Sequence, residues 1–122
     1  MQTERESAYE LFRHGTRLLE QHHPAAAAVV LERADRLEPG KASILEALGR
    51  AYYNHGQPAM AAERFQAIID RDPLAHYAHF GLGLSRKRLG DSDAARRHLR
   101  MAVFLKPEYP EYDRALRRLE AA

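Results

Sequence analysis

Residues 42–75 read ASILEALGRAYYNHGQPAMAAERFQAIIDRDPLA, and the parsing of this stretch decides the fold. Leu45, Leu48 and Tyr52 recur at three and four residues, the apolar stripe of an amphipathic helix. Asn54-His55-Gly56-Gln57-Pro58 interrupts it: Gly56 suits the left-handed conformation that ends a helix, and Pro58 is pre-set for the first turn of the next. A second stripe follows in Ala61, Phe65 and Ile68, and Arg71-Asp72-Pro73 stops it, because proline removes a donor and restricts the residue before it. The stretch is therefore expected to form two antiparallel helices, A and B, joined by a short turn.

The same unit lies on either side. Gly15, Gly49 and Gly83 are spaced by 34 residues, as are Ala27, Ala61 and Ala95, and Pro39, Pro73 and Pro107. Three markers with one period indicate stacked repeats, in which each unit buries its apolar face only against its neighbours. Such an array offers a surface and rarely a catalytic pocket. Glycine inside a helix costs about 1 kcal/mol relative to alanine. Its recurrence predicts a close approach of the B helix through Ala27, Ala61 or Ala95.

The 122 residues suit one domain, and 45% hydrophobic with 30% charged residues argues against disorder. The chain has no cysteine, so disulfides, thiolate metal ligands and a thiol nucleophile are all excluded. The opening Met1-Gln2-Thr3-Glu4-Arg5-Glu6 is polar and no apolar run follows, so neither a signal peptide nor a membrane anchor is expected, and the reading is of a cytoplasmic protein. The net charge of +2 is uneven. Residues 1–85 carry 9 Lys/Arg against 11 Asp/Glu, whereas residues 86–122 carry 10 against 6. A basic end could attract an acidic partner or nucleic acid, but a solvated arginine-rich helix face explains it more simply, and nucleic-acid binding is not expected.

Small, large and turn residues at these offsets resemble the tetratricopeptide repeat. The family's A-helix pattern appears as Leu45, Leu48-Gly49 and Tyr52, and its B-helix pattern as Ala61, Phe65 and Pro73. Residues 8–41 match through Leu11, Gly15, Leu18, Ala27, Leu31, Ala34 and Pro39, and residues 76–109 through Leu82-Gly83, Ala95, Leu99, Ala102 and Pro107. His14, Ile68 and Arg86 depart from the pattern. The resemblance implies an all-α right-handed solenoid of three units, with repeats at about 8–41, 42–75 and 76–109. Tyr112, Leu116 and Leu119 form a further stripe after Pro110, read as a capping helix over 110–121 that covers the last apolar face. Residues 1–7 are expected to extend the first A helix.

In this family the A helices line a concave groove that usually binds peptides. The resemblance places Tyr9, Phe12, Thr16, Leu19 and Glu20 of the first A helix in that groove. The second contributes Ser43, Glu46, Arg50, Tyr53 and Asn54, and the third Tyr77, Phe80, Leu84, Lys87 and Arg88. All of these fall off the core stripe, so the aromatics are expected to be exposed anchors, the residue types that dominate binding hot spots alongside arginine. A well-known use of the family is a clamp of lysines, arginines and asparagines on the carboxylate of chaperone peptides. Here the corresponding positions hold Phe12, Thr16, Ala47, Tyr77 and Gly81, so no such clamp is expected.

His76 and His79 are one turn apart, yet no third ligand at helical spacing completes a metal site, and no metal or cofactor is expected. His22-His23 and His55 read as solvated turn residues, and Gly81-Leu82-Gly83 lies within a helix, not a phosphate loop. No nucleophile with its base is visible, so the chain is not read as an enzyme. The expected function is an adaptor, monomeric when alone, that takes a protein or peptide partner in the groove. The alternatives are a self-associating module and a binder of acidic partners or nucleic acid through the arginine-rich C-terminal helices.

Overall fold

The computed structural model describes residues 6–122, and among them the secondary structure is entirely helical. The elements are α1 (Ala8–Glu20), α2 (Pro24–Leu37), α3 (Ala42–Asn54), α4 (Pro58–Arg71), α5 (His76–Arg88), α6 (Ser92–Leu105) and α7 (Pro110–Ala121). Each helix packs chiefly on the next in sequence, so α1/α2, α3/α4 and α5/α6 form three antiparallel hairpins and α7 closes the stack. The odd-numbered helices also touch one another, α1 to α3, α3 to α5 and α5 to α7, along the inner side.

Local chemistry sets the helix ends. Ser7 caps α1: its hydroxyl accepts from the Glu10 amide at 3.0 Å, and the Glu10 carboxylate accepts from the Ser7 amide at 2.9 Å. The first helix therefore starts at Ala8 and does not run back through residues 6 and 7; residues 1–5 lie outside the described part. Pro24, Pro58 and Pro110 occupy first-turn positions, where their missing donor costs nothing, whereas the Asp91 carboxylate caps α6. The hairpin turns need a left-handed residue at one shared register position. Gly56 (φ 76°) and Gly90 (φ 86°) supply it, and His22 adopts φ 63° at the equivalent place.

The repeating glycines do make room, but not for the alanines that the sequence put opposite them. A Cβ on Gly15 would lie 2.5 Å from Leu31, and one on Gly49 would lie 2.5 Å from the Phe65 ring. On Gly83 it would meet Leu99 at 2.8 Å, with the Ala95 carbonyl oxygen next at 3.2 Å. The side chain nested against each glycine is thus the large residue one turn beyond Ala27, Ala61 or Ala95. Those alanines are fully buried in the same contact.

One apolar cluster runs from Ala8 to Leu82 through the first four helices and into α5. A second joins Ala95 and Leu99 to Ala115 and Leu119 of α7, with Phe80, Leu84 and Leu116 packed on it. Tyr112 of α7 is only 1% exposed, so the last helix does cover the end of the stack. Polar groups tie the first two hairpins together. Arg64 of α4 pairs with Glu32 of α2 at 2.7 Å, and the Tyr52 hydroxyl of α3 donates to the same carboxylate. Burial alone would raise the Glu32 pKa, but these donors outweigh it and hold the pKa below its ordinary value.

Candidate peptide groove

The inner face is built by α1, α3 and α5, and one of its hollows lies between α3 and α5. There Arg50, Tyr53 and Asn54 of α3 face Tyr77, Phe80, Gly81 and Leu84 of α5 across a hollow of about 170 Å³ floored by Phe65 of α4. Glycine at position 81 lets α5 seat on this floor, because a Cβ there would lie 2.5 Å from the Phe65 ring. The hollow's volume is below the roughly 300–1,000 Å³ of small-molecule pockets. It is sized for a side chain, not a cofactor.

The aromatic walls are fixed by their neighbours. The Phe65 and Tyr77 rings meet edge to face at 6.2 Å, Tyr77 and Phe80 lie 6.0 Å apart, and Phe80 packs on Tyr112 at 4.7 Å. At the other wall the Arg88 guanidinium sits 3.9 Å from the centre of the Tyr53 ring and donates to the Tyr53 carbonyl oxygen at 3.2 Å. Among the described residues Arg50 forms no ion pair, and neither does Lys87.

A neighbouring hollow of about 360 Å³ includes Ser43, Glu46, Arg71, Asp72, His76 and Tyr77. Desolvation raises the pKa of the Glu46 carboxyl, against the pull of Arg50 and His76. Burial likewise raises that of the Tyr77 hydroxyl. A third hollow, of about 150 Å³, joins Tyr9 and Phe12 of α1 to Lys41, Ser43 and Ile44.

The sequence-predicted groove residues therefore divide. Arg50, Tyr53, Asn54, Tyr77, Phe80 and Leu84 converge on one hollow, Arg88 joins it through Tyr53, and Glu46 lies beside it. Tyr9 and Phe12 belong to a separate hollow, and Lys87 is exposed but lines none of these three. The expectation that the whole set stands off the core is corrected. Leu19 is buried, Phe12, Tyr53 and Tyr77 are half-buried against the main core, and Phe80 and Leu84 pack on the α6/α7 cluster. A side chain from the next helix or the cap covers part of each ring. Phe65 and Gly81 were missed as groove residues; Gly81, the glycine of α5 outside the 34-residue period, was the signal available for the close contact with Phe65.

The histidines take separate partners. His76 Nδ1 lies 2.8 Å from the Tyr112 hydroxyl, and His79 Nε2 lies 2.7 Å from the Pro73 carbonyl oxygen. His79 Nδ1 meets His98 Nδ1 at 3.1 Å. Among the described residues no three His, Asp or Glu side chains are grouped to hold a metal ion, and no helix is long and apolar enough to cross a membrane.

Comparison with solved structures places this architecture. The first TPR domain of Spaghetti (RPAP3), bound to the HSP90 peptide SRMEEVD, aligns with a TM-score of 0.88 at 17% identity, over 94% of this chain and 91% of that one. YrrB, described as a TPR protein with an unusual peptide-binding site, aligns at 0.84 and 23% identity over 90% of this chain and 57% of its own. The Sgt2 TPR domain from Aspergillus fumigatus aligns at 0.87 and 21% identity, over 93% and 77% respectively. At these identities the likeness speaks for the fold alone. No curated protein sequence matches the chain significantly. The tetratricopeptide repeat family, however, matches residues 12–59 and 46–110. With seven helices stacked as three hairpins and a cap among its described residues, the chain belongs to the tetratricopeptide repeat family, as an all-α right-handed solenoid.

Proposed function

We propose that the chain is a protein-interaction module that holds an extended peptide segment of a partner in the groove between α1, α3 and α5. The observation that carries this reading is the hollow between α3 and α5, an aromatic-walled recess with Arg50, which forms no ion pair among the described residues, on its rim. Buried apolar anchors beside arginine are the features that concentrate binding energy. Structural relatives give support, since the RPAP3 domain holds an HSP90 peptide and YrrB is described as having a peptide-binding site. The partner differs from a clamped chaperone tail, because Phe12, Thr16, Ala47, Tyr77 and Gly81 supply no carboxylate clamp. The reading is of a binding module and not of an enzyme.

A second reading rests on the outer face of α6, where Phe104 is 79% exposed beside Met101, Arg96, Arg97 and Arg100. That face suits an acidic partner. Two of its cations are already paired, Arg96 with Asp93 at 3.2 Å and Arg100 with Glu120 at 3.1 Å, which favours the groove. Partner capture from the source cell should be lost with Leu84→Asp and kept with the double change Arg97→Glu and Phe104→Ser, provided both variants keep wild-type helicity. The reverse pattern would move the function to the outer face.

A further inference from the structure

The hollow between α3 and α5 has a chemistry specific enough to name what enters it. Its walls are Tyr53, Tyr77, Phe80 and Leu84, its floor is the Phe65 ring, and none of its lining residues is a carboxylate. Gly81 lets that ring pack directly against the α5 backbone, where a Cβ would lie 2.5 Å from it. One hairpin earlier the equivalent position is Ala47, which carries the Cβ that Gly81 lacks. Contacts to Arg88 and Tyr112 already hold the walls in place. A ligand group entering there meets a preorganised slot and pays little to order it.

Charge along the groove is polar. Arg50 stands on the rim of the hollow, and exposed Lys87 lies on α5 one turn beyond Leu84. One turn back along α3, the adjoining hollow carries the carboxylates of Glu46 and Asp72. A peptide lying across the hollow therefore meets Arg50 and Lys87 on one side of its anchor and the mixed Glu46, Asp72, Arg71 and His76 on the other. Asn54 on the same rim offers an amide for the peptide backbone.

We propose that this hollow takes one aliphatic side chain of an extended peptide, with an acidic residue of the same peptide, within two positions of the anchor, lying against Arg50. The proposal rests on the groove reading above and deepens it by naming the peptide class. Volume sets the anchor as a single side chain, the apolar walls set it as uncharged, and the Arg50 guanidinium, without an ion pair among the described residues, sets its neighbour as a carboxylate. Arginine offers a planar fork of donors that matches a carboxylate.

The test uses a displayed library of random decapeptides panned on the full chain. Selected peptides should share a Leu, Ile, Met or Val with an Asp or Glu within two residues. Arg50→Glu should weaken synthetic copies of these peptides by at least about tenfold, since like charges are then juxtaposed. Fresh panning on Arg50→Glu should turn the acidic position to Lys or Arg while the aliphatic position stays. Leu84→Lys, with helicity checked by circular dichroism, should remove the aliphatic preference. Peptides that protect the groove from each other but lack the pair, or that bind Arg50→Glu unchanged, would overturn this inference and leave the groove reading standing. A library that yields no peptides, or only peptides lost on Arg97→Glu and not on Leu84→Lys, would overturn both.

Discussion

Phe65 sits between Gly49 of α3 and Gly81 of α5, and a Cβ at either would come within 2.5 Å of its ring. Gly49→Ala should therefore destabilise by about 1–3 kcal/mol through overpacking. In a Phe65→Leu background the same change should cost less, because contacting residues do not add independently. Urea melts of the four proteins measure this, and an equal cost in both backgrounds would place the strain elsewhere. Gly56 gives a contrast: its φ is 76° and an added Cβ would touch nothing within 4 Å. Gly56→Ala should cost about 1 kcal/mol from backbone strain alone. The 34-residue period made the glycines legible, and their need for a close neighbour followed from helix propensity. Which neighbour fills the space was not legible, because Ala61 and Phe65 lie on one helix face and only the approach of α3 and α4 selects between them. Phe80 shows the other limit. Its spacing reads as groove, yet its ring packs on Tyr112, so Phe80→Ala should cost about 2 kcal/mol, less than the 3–5 of a fully buried ring.

At the scale of elements, α7 was legible from its stripe, and the structure adds what it covers. Deleting residues 110–122 removes Tyr112, Ala115 and Leu119 from their contacts with Phe80, Ala95 and Leu99. The truncated chain should melt at lower temperature or aggregate, because an uncapped solenoid end exposes its core; unchanged melting with a monomeric elution would deny α7 that role. Between α5 and α6 the His79–His98 pair adds a pH dependence that spacing could not show, since the partners lie 19 residues apart. If His79 Nε2 donates to Pro73, the neutral ring leaves Nδ1 as acceptor for His98 Nδ1–H. Desolvation first, then His79, Arg97 and Arg86, push the His98 pKa from 6.5 down to about 4, opposed by Asp91. The folded state thus binds fewer protons than the unfolded chain in that interval. The associated stability is complete above pH 6.5 and is lost as pH falls toward 4. Thermal melts between pH 7 and 4 should show this decline, and His98→Gln should flatten it; an identical slope in the variant would refute the assignment.

For the whole molecule, repetition explains why so much of the architecture could be read in advance. Each hairpin repeats one pattern of glycine, alanine and proline, so three copies specify the stack that one copy could only suggest. The groove was less legible, because its shape depends on how α3 and α5 splay around Phe65 and on how α7 clamps the aromatic row. Neither relation is local in sequence. On the proposed function this inner face, and not the arginine-rich outer face of α6, receives the partner. Amide chemical-shift mapping of the labelled chain with a library-selected decapeptide tests it most directly. The largest shifts should fall at Arg50, Tyr53, Gly81 and Leu84, with Arg97 and Phe104 unmoved; shifts clustered on α6 around Phe104, with α3 and α5 silent, would place the partner on the outer face instead.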